Sequence, residues 1–210
     1  MSLQQLLTDL HSADYKTRRK AIEDLAKSRD KRAVSSLLNI VQDDDWSIQA
    51  AAIKALGEIG DEDAVPTLIE AVLRDDEWVA EAAAEALGMI GDVRAISALI
   101  YALRSEHLLK RFAELLEQKS GTIDSGTFVF LGQVYFDISD LRCAAARALG
   151  QLGNEQALAS LIAALNDPRD KYVQQAAAQA LERIATTEAI RAVTIWRRQR
   201  EQEDRTLNQW

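Results

Sequence analysis

The chain has 210 residues, a formal net charge of −8, 28% charged and 6% aromatic residues, with only nine glycines and two prolines. This Ala- and Leu-rich composition excludes a β-sandwich or a disordered tail and points to an all-α protein with enough length to bury a core. The acidic balance argues against nucleic acid as a partner, no apolar run approaches membrane-spanning length, and the single cysteine excludes a disulfide framework and fits a cytoplasmic, reducing setting.

The first residues carry polar and acidic groups through their apolar stretch and do not read as a signal peptide. Leu6, Leu7 and Leu10 sit 31 positions before Leu37, Leu38 and Val41. Residues 3–14 therefore read as half a repeat, a lone helix capping one end. The string AIKALGEIGDEDAVPTLIEAV (52–72) then returns as AAEALGMIGDVRAISALIYAL (83–103) and AAARALGQLGNEQALASLIAAL (144–165), with weaker copies at 19–41 and 172–193. Leu25, Leu56, Leu87, Leu149 and Leu181 hold one place in these copies, spaced by 31, 31, 62 and 32. Since 62 is twice 31, one more repeat is expected between Leu87 and Leu149.

Each copy predicts two helices. The first is rich in small residues, which allow a neighbouring helix to approach closely. It ends in Gly-x-x-Gly-Asp/Asn at Gly57/Gly60/Asp61, Gly88/Gly91/Asp92 and Gly150/Gly153/Asn154. That pattern suits a left-handed helix end followed by the next N-cap. The second helix carries an apolar stripe: Val65, Leu68, Ile69 and Val72; Ile96, Leu99, Ile100 and Leu103; Leu158, Leu161, Ile162 and Leu165. One pair cannot bury both stripes, but stacked pairs can. The predicted units are 15–43, 46–74, 77–104, a divergent 106–137, 139–167 and 169–204: an α-solenoid of about five to six helix pairs with the N-terminal half-repeat. The last helix loses its apolar pattern after Trp196 and reads as a solvated cap.

In the divergent unit, HLLKRFAELLEQ (107–118) lacks the alanines and the Gly-x-x-Gly ending, and residues 119–126 have loop chemistry. The 31-residue spacing makes 127–136 a second helix, although its β-branched and aromatic residues suggest a strand. On that spacing Phe130, Leu131 and Val134 take the core places of Leu99, Ile100 and Leu103. Five of the twelve aromatics (Phe112, Phe128, Phe130, Tyr135, Phe136) lie in this unit. Two readings stand for them: larger side chains filling space left by missing alanines, or an apolar contact patch that includes Phe128 and Tyr135.

The repeats resemble the short HEAT-like family of phycobilisome lyases, whose pattern is roughly V-R-x-A-A-A-x-A-L-G-x-I-G-D-x-x-A-V-P-x-L-I-x-A-L. Residues 48–73 and 79–103 match it closely and 141–165 nearly as well. The family's frequent arginine two places into the first helix reads as kept only at Arg142, with Gln49, Ala80 and Gln174 in its place elsewhere. The resemblance implies a solenoid whose second helices line a concave face. The row of that face would run through Glu70 and Arg74, Ala98 and Tyr101, Val129, Gln133 and Phe136, then Ser160, Ala164 and Asp167. Tyr101 and Phe136 would be adjacent aromatics at mid-array, so the candidate partner-binding set is Tyr101, Phe136, Gln133, Arg74 and Glu70. A related group, the deoxyhypusine hydroxylases, binds iron through His-Glu pairs; with only His11 and His107 and no such dipeptide, that activity and a metal site are not expected.

Tyr15, Trp46, Trp78 and Tyr172 fall at the starts of first helices, as staples onto their own first turns or as a docking ladder along one edge. Cys143 reads as a small buried residue. Trp196 and Trp210 read as cap or dimer residues. No catalytic or phosphate-binding constellation emerges. The leading expectation is a non-catalytic scaffold that grips another protein in its groove, without a cofactor. The alternative, implied by the resemblance, is one subunit of a bilin lyase or a bilin chaperone, with a second HEAT-like subunit as partner and Tyr101, Tyr135, Phe136 and Asp137 near the pigment.

Overall fold

In the computed structural model, residues 2–43, 45–74, 76–104 and 125–207 are described, with side chains described except at 125–137, 204, 206 and 207. The helices are α1 (Leu3–Asp9), α2 (Tyr15–Ser28), α3 (Val34–Ile40), α4 (Trp46–Ile59), α5 (Val65–Val72), α6 (Glu77–Ile90), α7 (Ile96–Arg104), α8 (Ser125–Leu152), α9 (Leu158–Leu165), α10 (Lys171–Ile184) and α11 (Thr187–Leu207). A single 3-10 turn leads into each of α3, α5, α7 and α9.

The local signals act where the sequence places them. Asp14, Asp45, Asp76 and Asp170 cap α2, α4, α6 and α10 by accepting hydrogen bonds from backbone N–H groups of the first turn. Gly60 and Gly91 close α4 and α6 in the left-handed region, at φ 74° and 80°. Asp61 and Asp92 then cap the following 3-10 turns. At the first and last pairs, Arg29 (φ 50°) and Ala185 (φ 55°) occupy that strained position without glycine.

The helices form two layers. The first helices α2, α4, α6, α8 and α10 pack in sequence, and α5, α7, α9 and α11 pack alongside them. The leucine ladder Leu25, Leu56, Leu87, Leu149 and Leu181 is fully buried between the layers, each residue contributing about 2 kcal/mol of apolar burial. Leu6 of α1 and Leu10, which follows it, are buried where α1 packs on α2. At the other end Ala189 and Val193 of α11 are buried, and Arg200 lies over the Trp196 ring at 5.2 Å.

The first helices approach at small residues. A β-carbon added to Gly57 would meet Ala86 Cα at 2.7 Å, and one added to Gly150 would meet Ala180 Cα at 2.6 Å. Between them, Gly88 faces not an intervening repeat but Ala148, whose Cα would lie 2.9 Å from an added β-carbon. Arg147 reaches Glu85 across the same join at 3.4 Å, and α7 packs directly on α9.

The further unit expected between Leu87 and Leu149 is not what Gly88 meets: α6 packs on α8 at this join. Among the described residues five helix pairs stack, and the helix that meets Gly88 is the C-terminal half of α8. The physical reason is in the register. The places of Ala86 and Gly88 recur 31 positions later as Glu117 and Lys119, whereas Ala148 and Gly150 of α8 keep both small residues. Residues 105–124, with Phe112 and His107, lie outside the described residues. The predicted helix over 127–136 is present, not as a second helix but as the N-terminal half of α8. No break occurs at 137–139: α8 runs 28 residues, about 42 Å, and its C-terminal half is the first helix of the next pair.

Candidate functional site

Where the stack closes, α7 and α9 leave a cleft of about 590 Å³ lined by Leu103, Arg104, Arg142, Ser160, Asp167 and Arg169, among others. Arg142 is buried on α8, 7% exposed. Its Nε donates to the Leu103 carbonyl at 3.0 Å, and its Nη2 donates to Asp167 Oδ2 at 2.9 Å. It thus joins the last turn of α7, where carbonyls favour a cation, to the turn that follows α9. Arg169 donates from Nε and Nη2 to the two oxygens of Asp167, at 2.7 and 2.9 Å. The Arg169 hydrogen bonds, then the Arg142 one, hold the Asp167 carboxyl far below the usual carboxylate range against the opposing effect of burial. Arg104 donates from Nη2 to Ser160 Oγ at 3.3 Å, tying α7 to α9. Three arginines against one aspartate make this cleft basic in a chain of net charge −8.

The sequence singled out Arg142 but not its network. Arg18 stands at the same register, four periods earlier. It pairs with Asp43 at 2.6 Å, again 25 positions on. That repeated Arg–Asp spacing was the available signal. The two pairs differ in depth: Arg18 and Asp43 are 22% and 18% exposed, Arg142 and Asp167 both 7%. The Arg18 Nε is buried without a hydrogen-bond partner among the described residues.

Of the expected groove residues, Tyr101 is exposed on α7, one turn from Arg104, and Glu70 is exposed on α5. Arg74 is half-buried and committed to the preceding repeat, donating to Gln42 Oε1 at 3.0 Å and to the Val41 carbonyl at 3.4 Å. Gln133 and Phe136 have backbone on α8, not in the second-helix row, so Phe136 is not the row neighbour of Tyr101; α9 is. The side chains of Phe128, Gln133, Tyr135, Phe136 and Asp137 lie outside the described set. Ser160, Ala164 and Asp167, expected to face outward, are buried, because α7 covers α9 directly.

Cys143 is buried as expected, and burial first, with Asp170 nearby, pushes its thiol up to about 11. Among the described residues no group of three His, Cys, Asp or Glu is placed to hold a metal ion, and no helix is long and apolar enough to cross a membrane. The edge aromatics do not staple onto their own helices. They follow the cap residue instead of preceding it, and Tyr15, Trp46, Trp78 and Tyr172 are 39, 53, 50 and 60% exposed.

A family profile of HEAT repeats matches residues 3–80, 37–116 and 137–207, passing over 117–136. Among solved structures, the complex of CpcE and CpcF of phycocyanin lyase from Nostoc is 24% identical over 93% of this chain and 94% of that chain, with a TM-score of 0.50. Human deoxyhypusine hydroxylase is 20% identical over 90% and 87%, with a TM-score of 0.47. An engineered protein is 22% identical over 93% and 85%, with a TM-score of 0.49. No characterised protein matches the chain in a sequence search. These likenesses concern the fold.

Proposed function

Because the chain belongs to the HEAT-repeat family, we propose that it is a non-catalytic scaffold that binds another protein along its layer of second helices, anchored at the basic cleft between α7 and α9. The observation that carries this reading is the cleft itself, with Arg104 and Arg169 at its mouth around the buried Arg142–Asp167 pair. Tyr101, exposed beside Arg104, adds an amphipathic contact of the kind that anchors interfaces. A preformed stack orders little on binding, which limits the entropic cost. The partner surface that fits presents a carboxylate to the cleft, since guanidinium groups recognise it well.

The test is capture of partners from an extract on the intact chain, then titration of the recovered partner against Tyr101→Ala and Arg104→Glu. Stoichiometric recovery, with weakening by both substitutions, supports the proposal. A partner bound equally by both variants removes the cleft from the account.

A second reading, one subunit of a bilin lyase, is favoured by the fold likeness to a two-protein phycocyanin lyase complex. Tyr101 on α7 would face the pigment together with Tyr135, Phe136 and Asp137 of α8. Co-expression with bilin distinguishes the two: a visible absorbance band that survives desalting supports pigment handling, and its absence leaves the scaffold.

A further inference from the structure

The exposed aromatics at the starts of α2, α4 and α6 form a ridge along one edge of the solenoid, apart from the cleft. The Trp46 and Trp78 rings lie 5.7 Å apart at 38°, touching across consecutive repeats. Tyr15 extends the line, its hydroxyl 3.1 Å from Ser47 Oγ. Both indoles stay half exposed although they meet each other, so each keeps open ring surface. In the fourth pair the corresponding positions are Ser139 and Asp140, and the ridge stops.

Charge selects the occupant. Trp46 is preceded by Asp43, Asp44 and Asp45, and Trp78 by Asp75, Asp76 and Glu77. Asp45 accepts hydrogen bonds from Ser47 Oγ, Ser47 N and Ile48 N, which lower its pKa and keep it ionised. A hollow beside Trp46 is lined by Arg18, Asp43 and Asp45; Arg18 is taken up by Asp43, which leaves the Asp45 carboxylate beside the ring. A cation over an indole face is attracted by the ring's negative quadrupole, and fixed carboxylates add to that attraction. The chain uses this chemistry at its other end, where Arg200 covers Trp196. Among the described residues no such cation lies over Trp46 or Trp78.

We infer that Trp46 and Trp78 form a docking ridge for an arginine-bearing extended segment of a partner protein. Consecutive side chains of an extended strand on one face are about 7 Å apart, close to the spacing of the two rings, so one strand places guanidinium groups on both. An acidic segment is repelled, and an uncharged one loses the charge term.

Fluorescence anisotropy on the intact chain tests this, using a labelled ten-residue peptide of alternating arginine and glycine. The same peptide with citrulline or glutamate for arginine, and a ten-residue proline peptide, serve as comparisons. The arginine peptide should bind, the others should bind far more weakly, and affinity should fall with salt. Trp46→Ala/Trp78→Ala should weaken binding about tenfold, with its helical circular dichroism and melting curve checked first. Trp46→Phe/Trp78→Phe, which keeps the shape and loses part of the quadrupole, should give a smaller loss. Equal binding of the arginine peptide by the folded Ala variant overturns the proposal, as do failure of the wild type to bind it and preference for the proline peptide. Sedimentation showing that the two tryptophans instead hold two copies together also overturns it.

Discussion

The join between α4 and α6 and the join between α6 and α8 are built alike but span different lengths of chain. In the first, Gly57 meets Ala86; in the second, Gly88 meets Ala148. The contact is the same small-residue approach, yet the second skips a whole 31-residue period. A period in the sequence is therefore not a layer in the stack. What lets α8 meet α6 this closely is its pair of small residues, Ala148 and Gly150, at the places where the intervening period of the sequence has Glu117 and Lys119. The consequence is a cleft, because α7 and α9 become neighbours.

The sharpest way to break the comparison is to fill the contact. Gly88→Val should cost about 3 kcal/mol or more in chemical denaturation, since an added β-carbon lies 2.9 Å from the Ala148 backbone. Gly57→Val should cost as much. Tolerance of Gly88→Val alone would show the second join to be loose.

The two arginine–aspartate pairs come next. Arg142→Ala leaves Asp167 buried with Arg169 as its remaining partner and should cost about 3 kcal/mol. Arg18→Ala, in the shallower pair, should cost about 1 kcal/mol or less. The Asp167 carboxyl is depressed in the folded state. Its stabilisation is therefore fully present above the unfolded value of about 4 and is lost as pH falls toward the folded one. Asp167→Asn should show the same destabilisation at pH 7 and pH 5, and progressively less below pH 4.

A smaller effect is expected at the last pair. Ala185→Gly removes a left-handed alanine and should raise stability by about 1 kcal/mol, whereas Gly60→Ala should lower it by a similar amount. The smallest is the most discriminating. Replacing 106–136 with a short Gly-Ser linker should leave cooperative unfolding and a melting temperature within a few degrees of the wild type. The Arg142 Nε donates to the Leu103 carbonyl at 3.0 Å, so α7 and α8 meet directly without this segment. Loss of cooperative folding would show the segment to be structural.

Individual residues of the cleft are legible in the sequence, but their arrangement is not. The repeat pattern marks Arg142 and Tyr101, and it puts Asp167 in the outward row although that residue is buried just past α9. Phe136 was placed beside Tyr101 by counting, and α8 carries it elsewhere. The Arg18–Asp43 pair was visible as a 25-residue spacing that periodicity of apolar residues does not reveal.

The sequence by itself determined the all-α class, the helix ends, the leucine ladder and the end cap. These are local or strictly periodic: a carboxylate on free N–H groups, a glycine at positive φ, an apolar stripe at helical spacing. Only the tertiary structure decided which repeats touch. Close approach of helices depends on residues 60 positions apart meeting face to face, and no local preference records which of several equivalent periods supplies the partner helix.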